Sequence, residues 1–189
     1  MKLDRINKLY DGKYLNYYVA EFINKENKIK KYEFVSRNKN IKIDEFGIMP
    51  KNAVAIIAFN DNGELLLERE FRLACNDWIY SFPAGLIEEG ESPKDAAKRE
   101  LYEETGLELY EIDKVLPFVH SAVGISDDSL CTIIGKAKGE IKNSIFVDEE
   151  IEAKWYSKAE ALKLLDGNNL SSRCQLFLYM WIGENKWVF

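Results

Sequence analysis

Three glutamates, Glu100, Glu103 and Glu104, are spaced so that they can act together. On a helix turning about 100° per residue they share one arc of roughly 100°, beside a second arc that carries Ala97 and Leu101. Like charges three and four residues apart repel by a few tenths of a kcal/mol per pair on an isolated helix, and by more where water is restricted. Something has to neutralise them. Lys94 and Lys98 point mostly to other sides of such a helix, whereas a hard divalent cation such as Mg²⁺ takes carboxylate, water and phosphate oxygens as ligands. A solvated acidic face would carry the same residues, so the surroundings must decide between the two readings.

The helix that presents these glutamates has clear ends. Ser92 is an N-cap with Asp95 three residues on, Pro93 suits the first helical position, and Gly106 after Thr105 is a left-handed stop. The wider stretch 85–107 reads GLIEEGESPKDAAKRELYEETGL. Gly85, Glu91 and the run Arg99-Glu100-Leu101-Tyr102-Glu103-Glu104-Thr105-Gly106-Leu107 stand at the spacings of a Nudix box, with each named position filled. The chain therefore resembles the Nudix hydrolases, which cleave a diphosphate linking a nucleoside to a further group. The resemblance implies that Glu100, Glu103 and Glu104 hold the metals and that the carbonyl of Ala84 adds a ligand. It also implies that Arg99 and Glu91 pair to keep loop and helix in register, with Gly85 and Gly106 as structural positions.

Composition narrows the classes. The chain has 189 residues, 47% hydrophobic and 31% charged, with a net charge of −6; this suits one good core and argues against a sequence-independent nucleic-acid binder, which needs a basic face. Cys75, Cys131 and Cys174 are widely spaced and form neither a CxxC pair nor a disulfide framework. The first residues lack an apolar signal core, and the longest apolar run, 53–59, is far shorter than the roughly 18 residues of a membrane span. A soluble cytoplasmic protein is expected, with no membrane partner. His120 is the only histidine, which leaves little scope for Ser-His-Asp or Cys-His chemistry.

Residues 14–22 and 29–37, rich in aromatic and branched side chains, flank the polar turn 24–27 and read as an antiparallel hairpin. By the Nudix resemblance a Nudix domain is expected over 52–189, with 1–51 as an N-terminal β extension. It resembles the extension of the ADP-ribose pyrophosphatase group, which exchanges between subunits and helps bind the nucleotide. By that resemblance Tyr32 stacks on the base, Arg37 reaches the substrate, and Arg72 of Glu70-Phe71-Arg72 binds the diphosphate through its planar fork. The loop 120–128, with Gly124, resembles the loop that group places over its substrate. Val123 stands where the group usually has proline, and Ser81 where it commonly has glutamate. A homodimer is expected, because an isolated two-stranded hairpin is marginal in water and this one carries Tyr14, Tyr17, Tyr18, Phe22, Tyr32 and Phe34.

Strands are expected at 53–59, 64–72, 78–82, 112–119, 130–138 and 153–156. Helices are expected at the box, from Ser157 to a stop at Gly167, and at 172–182. The class is α+β, implied by the resemblance to be the Nudix fold: a mixed sheet sandwiched between helices. The acidic loop 147–152 supplies Glu149 and Glu150 as candidate general bases. The expected reaction is Mg²⁺- or Mn²⁺-dependent hydrolysis of ADP-ribose to AMP and ribose 5-phosphate. The alternatives are another nucleoside diphosphate sugar, a dinucleotide, or a non-catalytic nucleotide sensor.

Overall fold

Residues 1–146 and 149–183 are described by the computed structural model; Val147 and Asp148 of the expected acidic loop lie outside the described residues. The chain divides into two units, the first made of Met1–Asn52 with Phe118–Leu130 and the second of Ala53–Pro117 with Cys131–Phe189.

In the first unit, β1 (Lys2–Asp11), β2 (Asn16–Ile23) and β3 (Ile29–Ser36) form an antiparallel sheet in that order. The hairpin β2–β3 runs in continuous register from Ile23↔Ile29 to Asn16↔Ser36. Its turn closes because Asn24 Oδ1 accepts the N–H groups of Glu26 and Lys28, both at 2.9 Å, while Asn27 takes the left-handed region at φ 57. Strand β1 was not expected. Leu3 and Ile6 lie an odd number of positions apart, which in a regular strand sends them to opposite faces. A register shift between Leu3 and Arg5 lets both pack on the same cluster. That cluster is Tyr18, Ala20 and Phe34, with Phe22, Ile41 and Phe46 around it; the Tyr18 and Phe34 rings stack at 5.5 Å. The hairpin is thus not an isolated pair of strands, and Tyr18, Phe22 and Phe34 find their partners within their own unit. Tyr14 and Tyr32 remain exposed. Strand β1 is an edge of the sheet and carries Lys2 and Lys8; β3 carries Lys30 and Lys31.

The remaining elements are β4 (Ala53–Phe59), β5 (Leu65–Arg72), β6 (Asp77–Ser81), β7 (Ala84–Leu86), α1 (Pro93–Thr105), β8 (Glu108–Val115), β9 (Val119–His120), β10 (Ser129–Lys138), β11 (Ile151–Tyr156), α2 (Lys158–Leu164) and α3 (Ser172–Ile182). Strand order is β11-β5-β4-β10-β8, with β6 on β5, β7 on β4 and β9 on β10. Among the described residues this is a mixed sheet with three helices, α+β as expected. The strand expected at 112–119 is instead two elements, β8 and β9, separated around Pro117, which has no N–H to give to a ladder. Helix α2 ends earlier than Gly167, at Leu164, whose carbonyl accepts the Gly167 N–H at 3.1 Å. Its Ser157–Glu160 capping box is complete, and α3 runs over 172–182 as its pattern predicts.

Strand β5 decides what lies where. Its odd positions Leu65 and Leu67 join Ile57, Phe82, Ala161, Cys174 and Leu178 in a core against α2 and α3. Its even positions Leu66, Glu68, Glu70 and Arg72 share the other face. Cys131 and Cys174 are buried, Cys75 is exposed, and all three are free thiols. No helix among the described residues is long and apolar enough to cross a membrane.

Candidate active site

Helix α1 begins as its sequence dictates. Ser92 is in extended geometry and its hydroxyl accepts the Asp95 N–H at 3.2 Å, with Pro93 in the first turn. It ends at Gly106, φ 73, whose N–H returns to the Tyr102 carbonyl at 2.8 Å. Between these caps, Ala96, Ala97, Leu101, Glu104 and Thr105 are buried. Glu104 is therefore on the packed side, only 8% exposed, while Glu100 and Glu103 lie beside it.

Arg99 organises one end of the site. Its Nε and Nη2 grip Glu91 at 2.9 and 2.8 Å, Nη2 also donates to the Leu86 carbonyl at 2.9 Å, and Nη1 reaches Glu100 at 2.9 Å and Glu103 at 3.1 Å. The expected Arg99–Glu91 pair is present, and Arg99 also supplies part of the neutralisation that the glutamates require. Glu88 adds a backbone N–H to Glu91 at 3.0 Å. Arg99 holds the Glu91 carboxyl below the ordinary carboxylate range, chiefly through these hydrogen bonds. Gly85 is explained by close approach: a Cβ there would lie 1.9 Å from Glu100 Cδ, so any side chain would displace that carboxylate.

The other end is built differently. Ala84 presents its N–H to Glu104 Oε2 at 3.2 Å. Glu68, on β5, is 3% exposed and in contact with Glu104, and its Oε1 has no hydrogen-bond partner among the described residues. Burial pushes both carboxyls well up, and the charges of Glu70, Glu100 and Glu149 push the same way. Burial also raises Glu100 and Glu149, with Glu70 and Glu103 adding to the effect on Glu149. Glu149 and Glu150 are both exposed; Glu149 is the one whose carboxyl feels the neighbouring acids, while Glu150 serves β5 through its carbonyl, which accepts the Phe71 N–H at 3.1 Å. Arg72 is exposed at the mouth of the same face, its Nη1 held by both oxygens of Glu70 at 2.8 and 2.7 Å.

The donor set fits a hard divalent cation: it is oxygen only, acidic, and includes a buried carboxylate oxygen without a partner. Among the described residues no three acidic, histidine or cysteine side chains are preassembled around one point. Arg99 and the Ala84 N–H hold the box carboxylates. Sequence reasoning missed Glu68. The signal was in ELLLEREFR, where strand alternation puts Glu68, Glu70 and Arg72 on one face directly after a run of leucines.

In the first unit, Tyr32 and Gly124 come together: the Tyr32 hydroxyl donates to the Gly124 carbonyl at 2.8 Å. Arg37 Nε lies 3.4 Å from Asp128, the Ser36 hydroxyl donates to Asp127 at 2.8 Å, and the Val35 N–H bonds the Ile125 carbonyl at 2.9 Å. These bonds tie the loop 120–128 to β3. Val123 is exposed on that loop, and His120 sits on β9 paired with Ser129.

Comparison with known proteins bears on the whole chain. An ADP-ribose pyrophosphatase of Bacillus subtilis (strain 168) is 27% identical over 164 residues, 86% of this chain and 81% of that protein. One from Mycobacterium tuberculosis is 31% identical over 139 residues, 69% of this chain and 67% of that protein. A crystal structure of an ADP compounds hydrolase superposes with a TM-score of 0.74 at 20% identity, covering 96% of this chain and 94% of that one, which establishes the shared fold. The NUDIX domain model matches residues 49–174, a span that holds the capped helix, the Arg99 network and the buried carboxylates, and on that match the chain belongs to the Nudix family.

Proposed function

We propose that this Nudix hydrolase cleaves the diphosphate of ADP-ribose with water, giving AMP and ribose 5-phosphate, in the presence of Mg²⁺ or Mn²⁺. The observation that carries the reading is the cluster Glu68, Glu100, Glu103 and Glu104, acidic groups gathered at low exposure with the exposed Glu149 nearby and no basic side chain pairing the buried end among the described residues. Relatives bearing the name ADP-ribose pyrophosphatase support the choice of substrate.

Glu100, Glu103 and Glu104, with Ala84, would hold the cations. When bound, these supply charge neutralisation between carboxylates and diphosphate and acidify water. The protein's own groups do the rest. Glu149, whose carboxyl is raised by burial and by its acidic neighbours, takes the proton of the attacking water at a carboxylate oxygen. Arg72 exchanges Glu70 for a phosphate oxygen pair, using the same planar fork. Arg99, Glu91, Gly85 and Gly106 keep helix and loop in register. In the first unit, Tyr32, Arg37 and the loop with Gly124 recognise the nucleoside and sugar, and the protein works in the cytoplasm as a homodimer.

A turnover screen of nucleoside diphosphate compounds with Mg²⁺ or Mn²⁺, reading released phosphomonoester, tests the proposal. ADP-ribose is expected to be the fastest substrate. The exposed Val123 favours one second reading, another nucleoside diphosphate sugar or a dinucleotide, which faster turnover of such a compound would establish. Tight nucleotide binding without any turnover would overturn both in favour of a sensor. Light scattering tests the dimer, and a monomer at working concentration would refute it.

A further inference from the structure

Glu68 has no place in the roles given so far. It sits in the interior of β5, paired with Ser81 of β6 on one side and Ala153 of β11 on the other, so its backbone is held by neighbours on both edges. The side chain is 3% exposed and meets Glu104 of α1, itself 8% exposed. Neither carboxylate has an ion-pair partner among the described residues, because Arg99 is bonded to Glu91, Glu100 and Glu103 and Arg72 to Glu70. Glu104 has one backbone donor, the Ala84 N–H; Glu68 Oε1 has none.

Burying a carboxylate without a partner costs several kcal/mol, and a second one in contact adds repulsion. A leucine at position 68 would continue the run Leu65–Leu66–Leu67 with no such cost. A sheet that retains glutamate there gains from it only when something positive or protic lies between the two carboxyls. Accordingly, we infer that Glu68 is a further carboxylate of the cation site, contributed by the sheet to the ions that the helix carboxylates hold. This rests on the Nudix reading above and extends its ligand set beyond the box. Glu68 and Glu104 then face each other as two arms of one site, one on a strand and one on a helix, and a cation between them also fastens α1 to β5. The competing occupant is a proton shared between the two carboxyls, which would make Glu68 a neutral hydrogen-bonding acid.

The test is Mn²⁺ binding by the full chain after chelator treatment, followed by electron paramagnetic resonance or calorimetry, with thermal unfolding alongside. Glu68→Gln keeps the shape and removes the charge; Glu68→Asp keeps the charge and shortens the arm. In the parent, Mn²⁺ is expected to bind and raise the unfolding midpoint. Glu68→Gln should bind Mn²⁺ at least tenfold more weakly, or lose one equivalent. It should gain less thermal stability from the metal and be no less stable than the parent without it. Glu68→Asp should retain more affinity than Glu68→Gln. Unchanged Mn²⁺ affinity and stoichiometry in Glu68→Gln would overturn the inference, as would a metal-free Glu68→Gln chain less stable than the parent, which marks a structural acid. If the parent turns over ADP-ribose with Mn²⁺ while Glu68→Gln binds normally, the role of Glu68 alone is refuted. A parent that neither binds Mn²⁺ nor responds to it refutes the underlying reading as well.

Discussion

The two ends of the glutamate cluster solve the same electrostatic problem in opposite ways. At the Arg99 end, Glu91, Glu100 and Glu103 are each within 3.1 Å of a guanidinium nitrogen, and Glu91 also receives a backbone donor. At the Glu68–Glu104 end, two carboxylates are more deeply buried than those and have one backbone donor between them. A fully paired end holds shape without help. An unpaired buried end is costly alone, and under the proposed function a cation there would offset that cost.

The sharpest way to break this comparison is to remove charge from the proposed cation ligands, one at each end of the cluster. Glu103→Gln and Glu104→Gln are each expected to lower turnover about a hundredfold or more with saturating Mg²⁺, while circular dichroism and the unfolding transition stay close to the parent's. Near-normal rates in both variants would show that the carboxylates are only a solvated face. Next comes the loop. Glu149→Gln should cost about a hundredfold in kcat, the scale of a lost general base, whereas Glu150→Gln should leave kcat within about twofold, because it is the Glu150 carbonyl, kept in that variant, that holds β5. The reverse ranking would move the base to Glu150.

Arg72 is an intermediate case, a pair at the edge of the unpaired end. Arg72→Ala should weaken diphosphate binding by about 1.5 to 3 kcal/mol if the fork transfers to phosphate, read as a raised KM with binding at equilibrium. An unchanged KM would leave Arg72 as a strand-end ion pair with Glu70. For Arg99 itself the expected loss is in stability. Arg99→Leu removes several charged hydrogen bonds and should cost about 1.5 to 3 kcal/mol in urea unfolding; a negligible change would mean that the network is ornamental. The smallest effect is in pH. Glu91 titrates below its ordinary value when folded, so the unfolded chain binds more protons in that window and stability rises with pH. Its contribution is complete above the ordinary carboxylate pKa of about 4.3 and is lost as pH falls through the depressed folded value. Glu91→Gln should flatten the acid limb of the stability profile there and leave the neutral region parallel to the parent's.

How much of this was legible beforehand follows from how local each feature is. Helix α1 could be read to the residue because Ser92, Pro93 and Gly106 act on their immediate neighbours. The Arg99–Glu91 pair came from the family pattern, and its extension to Glu100 and Glu103 follows from the neighbouring and one-turn spacings. Glu68 was hidden because its meaning depends on a side-chain contact with Glu104 of α1, between segments far apart in the chain. The sequence could not rank Glu149 against Glu150 as the proposed base, because adjacent residues of a loop obey no period. Strand β1 was missed because a bulge breaks the alternation that would have announced it.

The exposed outer edge of the first sheet has a consequence for handling the protein. Strand β1 ends the sheet, and an unpaired edge is a template for another chain's strand. Here the guard is charge of both signs: Lys2, Asp4, Arg5, Lys8 and Asp11 lie along that edge strand, and in a parallel, in-register pairing of two copies each would face its own like charge. Such repulsion reaches about 10 Å in 0.1 M salt and only about 3 Å in 1 M. Concentrated salt therefore lowers the guard just where backbone groups are free to pair. Crystals or fibres grown from concentrated salt are the samples in which β1 of one copy should be found beside β1 of the next.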